Sequence, residues 1–153
     1  MKRILIADDE ADVLEFLKIR MRKAGFEPIL AKDGAEAFEK ASAQKPDLII
    51  LDVMMPIFNG YEVCKMLREN ESTKNIPVIM LTAKSTVGDM EEGAGSGANA
   101  YLTKPCEWDN ILNKINKLPS KNDGMDSTYP YNAIENNYGF WNNWTKYHYS
   151  ISF

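Results

Sequence analysis

Four consecutive apolar residues, Leu48-Ile49-Ile50-Leu51, run straight into a carboxylate, Asp52. A short apolar run without polar alternation reads as a strand buried on both faces, the situation of strands in a parallel sheet. Pro56 and then Asn59-Gly60 turn the chain soon afterwards. An acid at the carboxyl end of a buried strand lies where open α/β sheets place their ligand sites. It also lies where an acid can cap a following helix. Asp52 by itself leaves both readings open.

The same pattern recurs along the chain. Ile4 to Ala7 is apolar and is followed by Asp8, Asp9, Glu10 and Asp12. Val13, Leu14, Leu17, Met21 and Ala24 then recur at helical spacing, and Gly25 ends that helix as a left-handed cap with Phe26 packing back. Pro28 to Ala31 is a weaker second strand. Asp33 reads as a helix N-cap with Glu36 three residues on, before the apolar face Ala37, Phe38 and Ala41. Pro46 closes that helix. Gly60 opens another, with Val63, Cys64, Met66 and Leu67 inward. Pro77 to Leu81 is a fourth buried run, followed by Thr82 and Ala83. The next helix, roughly Val87 to Ser96, carries Gly88, Gly93 and Gly95. Each interior glycine costs about 0.5–1 kcal/mol relative to alanine. Ala100-Tyr101-Leu102 is a short fifth strand, followed by Thr103, Lys104 and Pro105, and a last helix spans Glu107 to Leu118. Apolar runs alternating with helical patterns through short connections make successive βαβ units. The expected fold is α/β: a parallel sheet with helices on both faces.

Composition narrows the function. At 153 residues the chain suits one domain. A net charge of −4 argues against a nucleic-acid-binding role for the whole chain, because phosphate contacts need clustered Lys and Arg. No apolar run approaches a membrane span, and the run after Lys2-Arg3 stops at Asp8, too soon for a signal peptide. That favours a cytoplasmic protein. Cys64 and Cys106 have no metal-ligand spacing and read as reduced small hydrophobes. His148 is the sole histidine, so one chain cannot assemble a His-based triad or zinc cluster. Composition shifts at Pro119. Residues 1–118 form the expected domain and 119–128 a linker. Residues 129–153 are rich in aromatics and Asn: Tyr129, Tyr131, Tyr138, Phe140, Trp141, Trp144, Tyr147, Tyr149 and Phe153. Tyr147 to Phe153 alternates like a strand with one apolar face, and Tyr138 to Trp144 could instead form a short helix. Either could dock on the domain or dimerise it, and a disordered remnant remains the alternative.

The polar residues that end the strong strands share one edge of a parallel sheet: Asp8 and Asp9, Asp52, Thr82, and Lys104. Each has a task if the site handles a phosphoryl group on a divalent cation. Unpaired carboxylates at about 4 Å repel by about 4 kcal/mol at an effective dielectric of about 20. A hard cation such as Mg²⁺ offsets that and prefers carboxylates, a carbonyl and waters. Lys104 supplies positive charge for phosphate oxygens, and the Thr82 hydroxyl and nearby backbone N–H groups can donate to them. An aspartate can accept a phosphoryl group as an acyl phosphate.

These residues resemble the receiver domain of bacterial two-component response regulators, of the chemotaxis-regulator type. The likeness covers residues 1 to about 118. It is carried by Asp8-Asp9, by Asp52 with Pro56 and Gly60, by Thr82-Ala83, by Gly93…Gly97-Ala98…Tyr101, and by Lys104-Pro105. The resemblance implies a flavodoxin-like sheet of five strands in the order 2-1-3-4-5. It implies Asp52 as phosphoacceptor for a sensor histidine kinase or a phosphotransfer protein. It implies Mg²⁺, with Mn²⁺ as an alternative, on Asp8, Asp9, Asp52 and the main-chain carbonyl of Met54. Thr82, Ala83 and Lys104 would bind phosphate, and Tyr101 would turn inward as part of the switch. Met54 and Lys84 would tune hydrolysis. The Lys104-Pro105 bond would be cis, essentially a proline option. A downstream protein would read the switched surface, with no direct contact to nucleic acid or membrane.

Three departures qualify the likeness. Cys106 replaces a phenylalanine common after Lys-Pro, and its smaller side chain would loosen packing there. Asn99-Ala100 stands where transcription-factor receivers commonly carry two aspartates of a charged dimer interface. The aromatic segment matches no output domain. A competing reading is an aspartate-nucleophile phosphatase, but Met54 stands where those enzymes carry a second aspartate as general acid. Another is an interaction module oligomerised by its tail, independent of phosphorylation.

Overall fold

The computed structural model describes residues 1–83 and 95–118, apart from the side chain of Thr82. Lys84, the expected helix at 87–96 except for its last two residues, the linker 119–128 and the segment 129–153 lie outside the described residues. The chain order is β1 (Arg3–Ala7), α1 (Ala11–Lys23), β2 (Glu27–Ala31), α2 (Gly34–Gln44), β3 (Leu48–Leu51), α3 (Gly60–Glu69), β4 (Val78–Thr82), β5 (Ala100–Thr103) and α4 (Trp108–Lys117). The five strands form one parallel sheet in the order β2-β1-β3-β4-β5. This is the sheet that the βαβ alternation and the resemblance require. β2 lies at an edge, where Pro28 costs the ladder little.

Strand alternation sorts the apolar side chains into two cores. Leu5, Ala7, Ile49, Leu51, Val78 and Met80 face one side with Ala37, Ala41, Val63, Cys64 and Leu67 of α2 and α3. Ile4, Ile6, Leu48, Ile50, Ile79 and Leu81 face the other with Leu14, Leu17 and Met21 of α1 and Ile111 and Ile115 of α4. Burying each Val, Leu or Ile contributes about 1.5–3 kcal/mol, so the sheet with its two cores carries most of the domain's apolar burial.

Caps set where the helices begin and end. Past α1, Gly25 takes φ +88°, its N–H donates to Arg22 O, and Phe26 N–H donates to Met21 O. That is a Schellman turn, and Phe26 packs on the α1 side of the sheet. The Asp33 side chain accepts from Glu36 N–H at the start of α2. Gly60 opens α3 as expected, and Asn59 before it caps the helix: Asn59 accepts from Glu62 N–H while the Glu62 carboxylate accepts from Asn59 N–H. This reciprocal cap fixes the first residue of α3.

Candidate functional site

Asp8 follows β1 and Asp52 follows β3. The register of Ala7 with Leu51 sets the two acids side by side at one sheet edge. Backbone bonds hold them there: Asp8 N–H donates to Ala31 O at 3.1 Å and Asp52 N–H to Ala7 O at 2.9 Å. Lys104 follows β5, and its Nζ donates to Asp8 Oδ2 at 2.7 Å and to Asp52 Oδ2 at 3.2 Å. One ammonium thus bridges two carboxylate residues that are only 2% and 5% exposed. Asp8 Oδ1 accepts from Glu10 N–H at 2.9 Å and Asp52 Oδ1 from Met54 N–H at 3.3 Å. The Lys104–Pro105 peptide bond is cis. Gly60 closes the back of the site: a Cβ there would run into the Asp52 carbonyl oxygen, so α3 starts directly against the acid's backbone.

The electrostatics follow from burial. Desolvation raises the Asp52 pKa above the ordinary 3.8 and the Asp8 charge raises it further; Lys104 and the Met54 N–H pull it back only in part. Burial acts to lower the Lys104 pKa, but its hydrogen bond to Asp8 and the charges of Asp52 and Asp8 outweigh this, and the pKa lies above 10.5. Two carboxylates against one ammonium leave excess negative charge, which a further cation would offset.

Asp9 and Glu10 are exposed beside this pair. Among the described residues, Asp8, Asp9 and Glu10 can bring one carboxylate oxygen each within 4.8 Å of the others. Asp52 is not part of that trio; its Oδ2 accepts from Lys104 Nζ. A cavity of about 190 Å³ nevertheless joins them, lined by Asp9, Glu10, Asp52, Met54, Ala83 and Lys104. The carboxylate oxygens of Asp9, Glu10 and Asp52 around a small cavity suit Mg²⁺.

The chain matches the response regulator receiver domain family over residues 4–116. It belongs to that family. The DNA-binding dual master transcriptional regulator RpaA of Synechocystis is 38% identical over 136 residues, covering 89% of this chain and 56% of the relative. The chain spans about half the length of the curated relatives it matches. The chemotaxis protein CheY4 of Vibrio cholerae superposes with a TM-score of 0.74 at 32% identity, covering 78% of this chain and 99% of that one. The response regulator TrrA of Thermotoga maritima, solved in complex with Mg²⁺–BeF, superposes at 0.70 with 35% identity, covering 78% and 100%. The α/β sheet and the family read from the sequence therefore stand: this is a receiver domain of two-component response regulators.

The receiver edge gathers Asp8, Asp9, Asp52, Met54, Ala83 and Lys104. Thr82 ends β4 in register with Thr103. Tyr101 is buried with the α2–α3 core. Two features escaped the sequence. Glu10 lines the cavity, where its place in an acid run was the only signal. Arg68 of α3 donates to Gly97 O, Lys74 O, Ile76 O and Asn99 Oδ1, and Asn99 Oδ1 also accepts from Val78 N–H. Asn99 therefore serves the interior, tying the starts of β4 and β5 to α3.

Proposed function

We propose that this receiver accepts a phosphoryl group on Asp52 from a sensor histidine kinase or a phosphotransfer protein, and that the acyl phosphate switches a surface read by a downstream protein. The observation that carries the reading is Lys104 bridging buried Asp8 and Asp52 beside a cavity lined by Asp9, Glu10 and Asp52. In the transfer, an Asp52 carboxylate oxygen attacks phosphorus. The new O–P bond forms as the donor's P–N bond breaks, and the histidine ring keeps that electron pair and takes up a proton. Lys104, with its raised pKa, remains an ammonium at neutral pH and can follow the charge onto the phosphoryl oxygens. Backbone N–H groups at Thr82 and Ala83, with the Thr82 hydroxyl, complete the phosphate cradle, and Tyr101 reports its occupation.

Asp8, Asp9 and Asp52, with the Met54 carbonyl, would hold Mg²⁺, or Mn²⁺ in its place, with Glu10 at the rim. When bound, the dication supplies charge neutralisation at the transferring group. Met54 and Lys84 would set the hydrolysis rate. Residues 1–118 are the receiver, 119–128 a linker, and 129–153 a separate segment. The protein is not an enzyme toward external substrates and works in the cytoplasm without touching nucleic acid or membrane directly. The net charge of −4 supports that reading, and no helix of the described residues is long and apolar enough to cross a membrane.

The test uses acetyl phosphate with Mg²⁺ and intact-mass measurement. Wild type should gain one phosphoryl group and Asp52→Ala none; equal labelling of the variant defeats the assignment. A generic phosphate ester should not be turned over, and sustained turnover would favour the phosphatase reading.

A further inference from the structure

On the side of the sheet covered by α1 and α4 lies a groove of about 540 Å³. Val13, Phe16 and Leu17 of α1, Ile111 of α4, and Pro105 and Cys106 between β5 and α4 form most of its lining. Its volume falls within the range of small-molecule pockets, about 300–1,000 Å³. Phe16, on the α1 wall, is 46% exposed, and Asp12 and Lys104 are the charged residues of the lining. Cys106 lines the groove next to Lys104 and Pro105, where a larger side chain would fill part of it.

We infer that the aromatic segment 129–153 of this same chain occupies this groove. The segment is rich in Tyr, Trp and Phe, and its only Asp, Glu, Lys or Arg residues are Glu135 and Lys146. Aromatic side chains bury about 150–250 Å² each and suit an apolar slot. Reach is not limiting. From Ile111 in the groove to Lys117 at the end of α4 is about 9 Å along the helix. Residues 119–128, extended, span up to about 33 Å. Tethering also decides between occupants. A ligand on the same chain is held at about millimolar effective concentration, far above a second copy in dilute solution. Lys104 and Ala83 line both the groove and the cavity at Asp52, so a docked segment borders the phosphoacceptor cavity.

The test places p-benzoylphenylalanine at position 16 of the full chain, where the exposed Phe16 edge leaves room for the added benzoyl group to reach into or over the groove. Irradiation followed by peptide mapping should give crosslinks to residues 129–153 within one chain, in a yield independent of protein concentration. Crosslinks between chains, rising with concentration, would put a second copy in the groove and overturn the inference. Crosslinks confined to residues 1–118 would overturn it too. A second readout uses Cys106, which is partly exposed while Cys64 is buried. Changing the aromatics of 129–153 to serine should speed Cys106 alkylation at least threefold, and an unchanged rate would contradict docking. Neither readout involves phosphorylation, so both stand apart from the Asp52 assignment.

Discussion

Replacing Lys104 by methionine removes the charge that, among the described residues, bridges Asp8 and Asp52. Their oxygens lie 2.7 and 3.2 Å from its Nζ. At an effective dielectric of about 20 these pairs attract by about 6 and about 5 kcal/mol. Desolvating three ions offsets much of that, at several kcal/mol per ion. The net effect of the substitution is the cost of two uncompensated buried carboxylates, about 3–5 kcal/mol of stability at neutral pH without divalent ions. The penalty should fall as pH drops, because a proton on Asp52 then replaces the lysine; near pH 4 about half or less should remain. Millimolar Mg²⁺ should also reduce it by binding the freed carboxylates. Urea denaturation followed by circular dichroism at several pH values reads all three effects. A loss below about 1 kcal/mol at neutral pH, the size of an exposed pair, with no dependence on pH or Mg²⁺, would refute the reasoning.

Asp52 has a raised pKa, so its charge costs stability above that pKa, and the cost is relieved as pH falls through it toward 3.8. Asp52→Asn should therefore stabilise the metal-free protein at neutral pH, with a gain over wild type that shrinks on acidification; a destabilised variant at neutral pH would contradict this. Lys104, raised above 10.5, contributes stability that is lost as pH climbs through its folded-state pKa, so wild type but not Lys104→Met should lose stability there in alkaline urea melts. Ile57 is 69% exposed and sits at φ +72°, a left-handed conformation that costs a residue with a Cβ about 1–2 kcal/mol. Ile57→Asn should raise stability by about 1 kcal/mol in thermal or urea unfolding, since Asn tolerates that conformation. Arg68→Met strips donors from three backbone carbonyls and Asn99, and should cost about 3 kcal/mol in the same assay.

The parts of this receiver legible in the sequence are those governed by local rules. Leu48 to Leu51 needed burial on both faces, and the register with β1 then carried Asp52 beside Asp8 without further information. Gly25, Asp33 and Pro46 marked helix ends because each acts through the backbone of its immediate neighbours. What stayed hidden depends on partners distant in the chain. Lys104 meets Asp8 across 96 positions, and nothing near the lysine indicates that it holds two acids in place of one. No local pattern marks Arg68, whose carbonyl partners come from Lys74 and Ile76 before β4 and from Gly97 before β5. Asn99, read only as a missing aspartate, accepts from Val78 and Arg68 inside the domain. Ile57 betrays its left-handed φ in no local pattern, since a β-branched residue is the last expected there.

Asp52, and neither Asp8 nor Asp9, is expected to become the acyl phosphate. Borohydride reduces an aspartyl phosphate to homoserine and leaves free carboxylates untouched. After incubation with acetyl phosphate and Mg²⁺, reduction and peptide sequencing should find homoserine at position 52 alone. Homoserine at position 8 or 9, or none at any position while phosphate is incorporated, would contradict the account.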